Sequence, residues 1–87
     1  MVTRIVTIQA PDGLHARPVG ELVKLVKAFP GSKVTLATAA RSVNAASMLS
    51  VLSLGLKHGA EVTVGVEGGD EAAVLEAVAS FIAAINS

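Results

Sequence analysis

The chain has 87 residues, of which 52% are hydrophobic and 16% charged, and its formal net charge is zero. This composition excludes an intrinsically disordered chain, and the length predicts a single domain spanning residues 1–87. Because the chain has no cysteine and no apolar run near the ~20 residues of a membrane span, we exclude a disulfide framework, a thiolate metal site and membrane insertion, and we expect a cytoplasmic protein.

The zero net charge conceals two parts of opposite sign. Residues 1–57 contain all seven basic residues and two acidic ones, a net charge of +5, whereas residues 58–87 contain five acidic residues and no basic one. The positive excess is too small to predict nucleic-acid binding, and the aromatic residues on which single strands stack make up only 2% of the chain. We expect the positive part to meet an acidic partner or a phosphate.

The start of the chain predicts a strand followed by a helix. Residues 2–9 are rich in Val, Ile and Thr, which favours a strand, and a Pro-Asp-Gly turn signal follows. Residues 16–29 predict a helix that ends before Pro30. Its apolar residues recur at i, i+3, i+4 and i+7, and they are Val19, Leu22, Val23 and Val26.

The middle of the chain predicts a hairpin and a short helix. Residues 33–38 alternate between apolar and polar, as a second strand does. Residues 41–44 are a candidate third strand, although residues 38–40 contain none of the usual hairpin residues. Residues 45–54 are apolar and are followed by Gly55, which predicts a helix of about two turns.

The last third of the chain predicts a strand and a long helix. Residues 61–67 alternate, with Val62, Val64 and Val66 on one face. Asp70 follows two glycines and is placed to cap the last helix, because its carboxylate can accept hydrogen bonds from the free N–H groups there. The buried face of that helix is predicted to contain Val74, Val78, Phe81 and Ile85.

Together these elements predict an α+β fold in the order βαββαβα. Strands with one apolar face imply a four-stranded antiparallel sheet that has three helices on one face and water on the other. This arrangement is an open-faced β-sandwich.

One six-residue segment combines a histidine, an arginine and a helix start, and it is Gly13-Leu14-His15-Ala16-Arg17-Pro18. We expect His15 at the N-terminus of the first helix and Pro18 in its first turn. The missing N–H of proline has no cost there, because N–H groups of the first turn have no partner within the helix. A neutral imidazole is a nucleophile, and the free N–H groups of the helix start can bind the oxygens of a phosphoryl group that it accepts. Arg17 can add a charge-assisted contact. The alternative is an exposed and inert histidine, which is how we interpret His58.

This motif resembles the active-site signature of the HPr family, the histidine-containing phosphocarriers of the bacterial phosphoenolpyruvate:sugar phosphotransferase system. The similarity extends over nearly the whole chain, including its length and element order. It also includes the lysine pair Lys24 and Lys27 along the first helix, and the segment Ser53-Leu54-Gly55-Leu56 followed by Gly59. The resemblance therefore implies a phosphohistidine carrier with the open-faced fold.

The resemblance also implies the partners. Enzyme I, charged from phosphoenolpyruvate, would phosphorylate His15 on Nδ1, and the carrier would pass the group to an enzyme IIA component of a sugar transporter. Arg17 would steady the phosphoryl group and help to release it. We expect no metal and no cofactor, since the donor is another protein and the sequence lacks a Gly-rich nucleotide loop. The carrier is expected to be a monomer, and a covalent intermediate rather than a free-standing enzyme.

Ser47 resembles the serine of Gram-positive family members that a dedicated kinase phosphorylates and a phosphorylase dephosphorylates. The residues after it, Met48-Leu49-Ser50, depart from the Ile-Met-Gly that is usual in those members. A serine before an apolar run is also the preferred helix N-cap. A phosphate on Ser47 would place negative charge in a docking surface for enzyme I and enzyme IIA. The resemblance assigns to this surface Met48, Leu49 and Leu52, each of which could instead pack in the core, and Lys24 and Lys27, which could be a merely solvated face.

Three other functions fit parts of the sequence. The chain could be a nitrogen-related phosphotransferase carrier, a mainly regulatory HPr-like protein in which Ser47 is decisive, or a small ligand-binding module whose histidine has no chemistry. The intact His15-Ala16-Arg17 segment argues against a purely regulatory function.

Overall fold

The computed structural model describes residues 1–85, which form four strands and three helices in the predicted order. The elements are β1 (Val2–Thr7), α1 (Ala16–Lys27), β2 (Lys33–Ala37), β3 (Ser42–Asn44), α2 (Met48–Leu52), β4 (Glu61–Glu67) and α3 (Glu71–Ala84). The predicted open-faced α+β sandwich is confirmed. Within the part of the chain that the structure describes, no helix has both the length and the apolar character needed to cross a membrane.

The four strands form one antiparallel sheet in the spatial order β1-β4-β2-β3. The hairpin between β2 and β3 forms without a glycine because Thr38 supplies the turn. The Thr38 N–H donates to the Arg41 carbonyl at 2.8 Å, and the Thr38 Oγ1 accepts from the Ala40 N–H at 3.2 Å. A threonine hydroxyl can thus replace the usual hairpin residues, and the candidate third strand is confirmed.

One face of the sheet is buried beneath the helices. Val62, Val64 and Val66 of β4 are fully buried, as their alternation predicts, and Val34 and Leu36 of β2 are buried with them. The predicted apolar face of α1 is buried as well, and it consists of Val19, Leu22, Val23 and Val26. No polar or charged side chain is buried within the described residues, so aliphatic packing stabilises this core.

The helices differ in detail from their predicted extents. Phe81 and Ile85 pack against the core as predicted but are only half-buried, and Ile85 lies just beyond the end of α3. Because α3 packs on both β1 and β4, its buried face is broader than one narrow stripe. That face contains Val74, Leu75, Val78, Ala79 and Ile82. α2 begins at Met48 rather than at residue 45, because the Ala45 N–H donates to the Val34 carbonyl at 3.0 Å and thereby extends the sheet.

Candidate functional site

Backbone hydrogen bonds join the loop that leads into α1 to the loop that precedes β4. The Ile8 N–H donates to the Ala60 carbonyl and the Gly59 N–H donates to the Ile8 carbonyl, both at 2.8 Å, so backbone pairing continues past the end of β1. The Leu14 N–H donates to the Leu56 carbonyl at 2.9 Å, and the Leu14 side chain is buried. These bonds fix the backbone on both sides of the turn that precedes α1.

Gly13 allows the two loops to approach this closely. Its φ is +72°, and a Cβ at this position would lie 2.2 Å from the Leu56 carbonyl oxygen and 2.8 Å from the Lys57 Cα. Those are backbone atoms that cannot rotate aside, so a side chain does not fit here and the positive φ favours glycine as well. Gly13 therefore determines where the chain enters α1 and, with it, the position of His15.

His15 is the N-cap of α1, with extended backbone angles of φ −108° and ψ −177°. Its side chain makes no capping hydrogen bond to the helix, and the first turn contains no acidic residue. The His15 carbonyl accepts the first helical bond from the Val19 N–H at 3.1 Å. Pro18 has no N–H, so the N–H groups of Ala16 and Arg17 are the donors of the first turn that lack an intrahelical partner. Such a helix start carries partial positive charge and attracts anions.

His15 and Arg17 are both exposed and line the same cleft, whose volume is about 490 Å³. The cleft separates the start of α1 from the end of α3. Its other lining residues are Asp12, Pro18, Glu21, Phe81, Ala84 and Ile85. The structure thus brings together the histidine and the arginine that the motif selected.

Two carboxylates in this cleft were not predicted as site residues. Glu21 lies one helical turn beyond Arg17, an i to i+4 spacing that is visible in the sequence. Asp12 was interpreted only as part of a turn. Neither carboxylate forms an ion pair with another residue of the described part of the chain, and the same is true of Arg17. Among the described residues, none of these three charges is therefore neutralised by an ion pair.

α2 lies beside α1 and exposes apolar side chains. The Met48 Cε is 4.0 Å from the position that a Cβ on Gly20 of α1 would take, so Met48 lies next to α1 at this residue. Leu49 is 80% exposed and Met48 is 38% exposed, whereas Leu52 is half-buried against the core. Val51 provides the buried contact of α2. Two of the three predicted apolar docking residues are therefore well exposed at the surface.

The remaining predicted residues lie on the same two helices. Lys24 and Lys27 are exposed on α1. Ser47 is the N-cap of α2, as predicted, and its Oγ accepts a hydrogen bond from the Ser50 N–H at 3.4 Å. His58 is exposed in the loop before β4. No group of three His, Cys, Asp or Glu side chains that could hold a metal ion occurs among the residues that the structure describes.

Several known proteins are similar to this chain in sequence and fold, and they are phosphocarrier proteins. The model of the PTS-HPr family, described as the PTS HPr component phosphorylation site, matches residues 2–84. The chain is 41% identical over 71 residues to the phosphocarrier protein HPr of Buchnera aphidicola subsp. Acyrthosiphon pisum (strain APS), which covers 82% of each protein. It is 38% identical over 82 residues to the phosphocarrier protein HPr of Lysinibacillus sphaericus, which covers 94% of this chain and 92% of the relative.

The fold leads to the same family. The crystal structure of a phosphocarrier protein HPr from Bacillus anthracis str. Ames superposes with a TM-score of 0.87 at 30% sequence identity, covering 93% of this chain and 95% of that one. The family match, the named relatives and the shared fold thus agree over nearly the full length. The chain therefore belongs to the HPr family, the phosphocarrier proteins of the phosphotransferase system.

Proposed function

We propose that His15 is the residue of this phosphocarrier that accepts the phosphoryl group, and that Arg17 stabilises the group once it is bound. The observation that carries the proposal is the position of His15 as the N-cap of α1, where its side chain makes no capping hydrogen bond to the helix and the first turn contains no acidic residue. The N–H groups of Ala16 and Arg17 and the guanidinium of Arg17 all belong to this short segment, so donors for phosphoryl oxygens lie next to the imidazole in sequence.

The transfer itself needs little driving force. Nδ1 of His15 attacks the phosphorus of a phosphohistidine on enzyme I, so one N–P bond breaks as another forms. The phosphoryl group then leaves His15 in the same way for a histidine of enzyme IIA. Arg17 and the helix N–H groups stabilise the charge on the phosphoryl oxygens during both steps. The phosphoryl donor is ultimately phosphoenolpyruvate, a cytoplasmic metabolite, and we place the carrier in the cytoplasm for that reason.

Replacing the acceptor tests this proposal. Phosphoenolpyruvate and enzyme I should add one acid-labile phosphate to the parent chain and none to His15→Ala. His58→Ala is the matched control, because His58 is also exposed but lies in the loop before β4. Circular dichroism should show both variants folded. Normal labelling of His15→Ala, or loss of labelling in His58→Ala, would refute the assignment of His15.

Both partners are proposed to use one docking face, which consists of Arg17, Lys24, Lys27, Met48, Leu49 and Leu52. The exposed leucine provides an apolar anchor, and the basic side chains attract acidic partners. NMR titration with an enzyme IIA domain should shift resonances of α1 and α2. Leu49→Ala should weaken binding, whereas Ile5→Ala, which also shortens an exposed aliphatic side chain (64% exposed on β1), should not. Shifts confined to α3 would contradict this face.

Ser47 is proposed as a site of regulatory phosphorylation by a serine kinase, reversed by a phosphorylase. It caps α2, so a phosphate there would lie at a helix start and need not unfold the chain. The added charge would lie within the docking face and weaken the approach of acidic partners. Incubation with the kinase and ATP should yield an acid-stable phosphate that Ser47→Ala does not acquire. A folded parent chain that remains unlabelled would refute this role.

We propose that the carrier acts as a monomer. The four strands pair with one another within one chain, and their apolar face is covered by helices of that chain. Light scattering coupled to size-exclusion chromatography should give the mass of one chain at micromolar concentration. A mass twice as large, independent of dilution, would contradict the monomer.

A further inference from the structure

The cleft beside His15 contains more negative than positive charge. Asp12 and Glu21 line it together with Arg17, and all three side chains are exposed. None of the three forms an ion pair within the described part of the chain. With a neutral imidazole, these side chains give the cleft a net charge of −1.

A phosphoryl group would enter this cleft against that charge. Phosphate groups on side chains carry about −1.5 to −2 charges near neutral pH. A site selected only to retain an anion would surround it with cations and donors, as Arg17 and the helix start do here. The two carboxylates act in the opposite direction, because like charges that line the same cleft repel one another even through water.

Glu21 lies one helical turn from Arg17, because residues four apart on a helix are neighbours. The two side chains form no ion pair within the described part of the chain, so the Glu21 charge is not neutralised by contact with the guanidinium. It therefore adds to the charge of Asp12, and both favour the unloaded carrier over the loaded one.

Given the proposed role of His15, we propose that Asp12 and Glu21 raise the phosphoryl-transfer potential of this carrier. They favour transfer of the phosphoryl group from His15 to an acceptor. They also lower the fraction of the carrier that its donor phosphorylates at equilibrium. Arg17 and the N–H groups of the helix start oppose them, and the balance between the two sets determines how far the phosphoryl group is retained. No new chemical step is involved, because the carboxylates act only through their charge.

A competition between two versions of the chain measures this potential directly. The isotopically labelled parent and the double variant Asp12→Asn/Glu21→Gln are mixed with a limiting amount of phosphoryl groups and a catalytic amount of enzyme I, and the phosphorylated fractions are read by mass spectrometry at equilibrium. We expect the variant to hold a phosphorylated-to-free ratio roughly three- to tenfold above that of the parent in low salt, as two exposed charge interactions would give. The excess should shrink at 0.5 M salt, because counter-ions screen exposed charges.

Two further variants make the result specific. Glu67→Gln also removes an exposed carboxylate, but this residue ends β4 and does not line the cleft. The phosphorylated-to-free ratio of this variant should equal that of the parent. If the double variant equals the parent, holds less phosphate, or keeps the same excess in high salt, the inference is overturned. His15→Ala in the same mixture separates the two proposals. Labelling of His15→Ala overturns the acceptor assignment and the inference together, whereas an unlabelled His15→Ala beside an unshifted double variant overturns the inference alone.

Discussion

The helices α1 and α3 both follow glycine-containing turns, but they differ in how side chains cap the N–H groups of the first turn. Asp70 is the N-cap of α3, and its side chain accepts from the Ala73 N–H at 3.4 Å, while Glu71 accepts from the Gly68 N–H at 2.8 Å. His15 is the N-cap of α1, and its side chain makes no capping bond to its helix. Side chains of α3 thus satisfy N–H groups at the start of that helix, whereas the His15 side chain leaves the first N–H groups of α1 to other acceptors.

The same contrast holds for the charged side chains around the two helices. Glu71 lies 3.6 Å from the amino terminus of Met1, and the Glu76 Oε2 lies 2.6 Å from the Arg4 Nη1. By contrast, Asp12, Arg17 and Glu21, which line the cleft at α1, form no ion pair within the described part of the chain. The ion pairs of α3 join that helix to the first residues of the chain, whereas the charges of the cleft act, in our proposal, on a bound phosphoryl group. Variants at the two helix starts should therefore separate stability from phosphoryl transfer.

Gly13→Ala should have the largest effect, because it damages the start of α1 and the fold together. The new Cβ would lie 2.2 Å from a backbone oxygen at a residue with φ +72°, so we expect a loss of about 3 kcal/mol of unfolding free energy from conformational strain and steric overlap. Urea titration measures the loss. Gly31→Ala is the matched control, because nothing lies within 4 Å of a Cβ there. Equal stabilities of the two variants would show that the close approach to Leu56 is unimportant.

Arg17→Ala should impair transfer while leaving the fold intact. The side chain is exposed, so the urea midpoint should stay within the error of the parent value. A charge-assisted hydrogen bond contributes about 1.5–3 kcal/mol, so phosphorylation by enzyme I should slow roughly 10- to 150-fold. Stopped-flow or quenched labelling measures the rate. Arg17→Lys should recover part of this rate. If Arg17→Ala lost stability to the same degree as transfer rate, the slower transfer would reflect unfolding, and Arg17 would be removed from the site.

Sequence patterns predicted the fold and the placement of His15 and Arg17 in one cleft, because both follow from local rules. The alternation of β4 and the helical spacing of Val19 and Leu22 reflect burial that each element establishes for itself. The motif placed His15 and Arg17 together because they are neighbours in the chain. The broad buried face of α3 was not predictable in this way, since it depends on how that helix lies across two strands.

The cleft shows the same limit at the functional site. Asp12, Glu21 and Phe81 meet there from a turn, the second turn of α1 and the far end of α3, and no periodicity in the sequence connects them. The capping hydroxyl of Thr38 was likewise invisible, because threonine only replaces glycine in a turn when its side-chain geometry allows it. Long-range contacts and side-chain geometry therefore account for what the sequence patterns left open.

Asp70→Ala should reverse the pattern of Arg17→Ala. Loss of the N-cap leaves the first N–H groups of α3 without their side-chain acceptor, so the unfolding free energy should fall by about 1 kcal/mol. Phosphorylation by enzyme I should be unchanged in the folded variant, since α3 begins away from the cleft. Asp70→Asn keeps an acceptor at the same position and should restore most of the stability. If Asp70→Ala slowed transfer without changing stability, the proposed separation of the two helix starts would fail.

The smallest effect should come from the ion pair between Arg4 of β1 and Glu76 of α3, and its size depends on pH. The pKa of Glu76 is lowered from its ordinary value of 4.5 by a hydrogen bond from Arg4, with further contributions from the Ser80 hydroxyl and the positive charge of Arg4. A carboxyl with a lowered pKa in the folded state stabilises the fold above its ordinary pKa, because the folded protein binds the ionised form better than the unfolded chain does. This contribution disappears as the pH falls through the lowered value.

Glu76→Gln should therefore melt slightly below the parent at neutral pH, and the difference should vanish in acid. Because both side chains of the pair are about half exposed, the difference should also shrink in high salt. Melting curves of the parent and of Glu76→Gln between pH 7 and pH 2 test this directly. Repeating them in an Arg4→Gln background identifies the cause, because the pH dependence should then be weaker while the hydrogen bond with Ser80 remains. An unchanged pH dependence in that background would show that Arg4 does not stabilise the ionised Glu76.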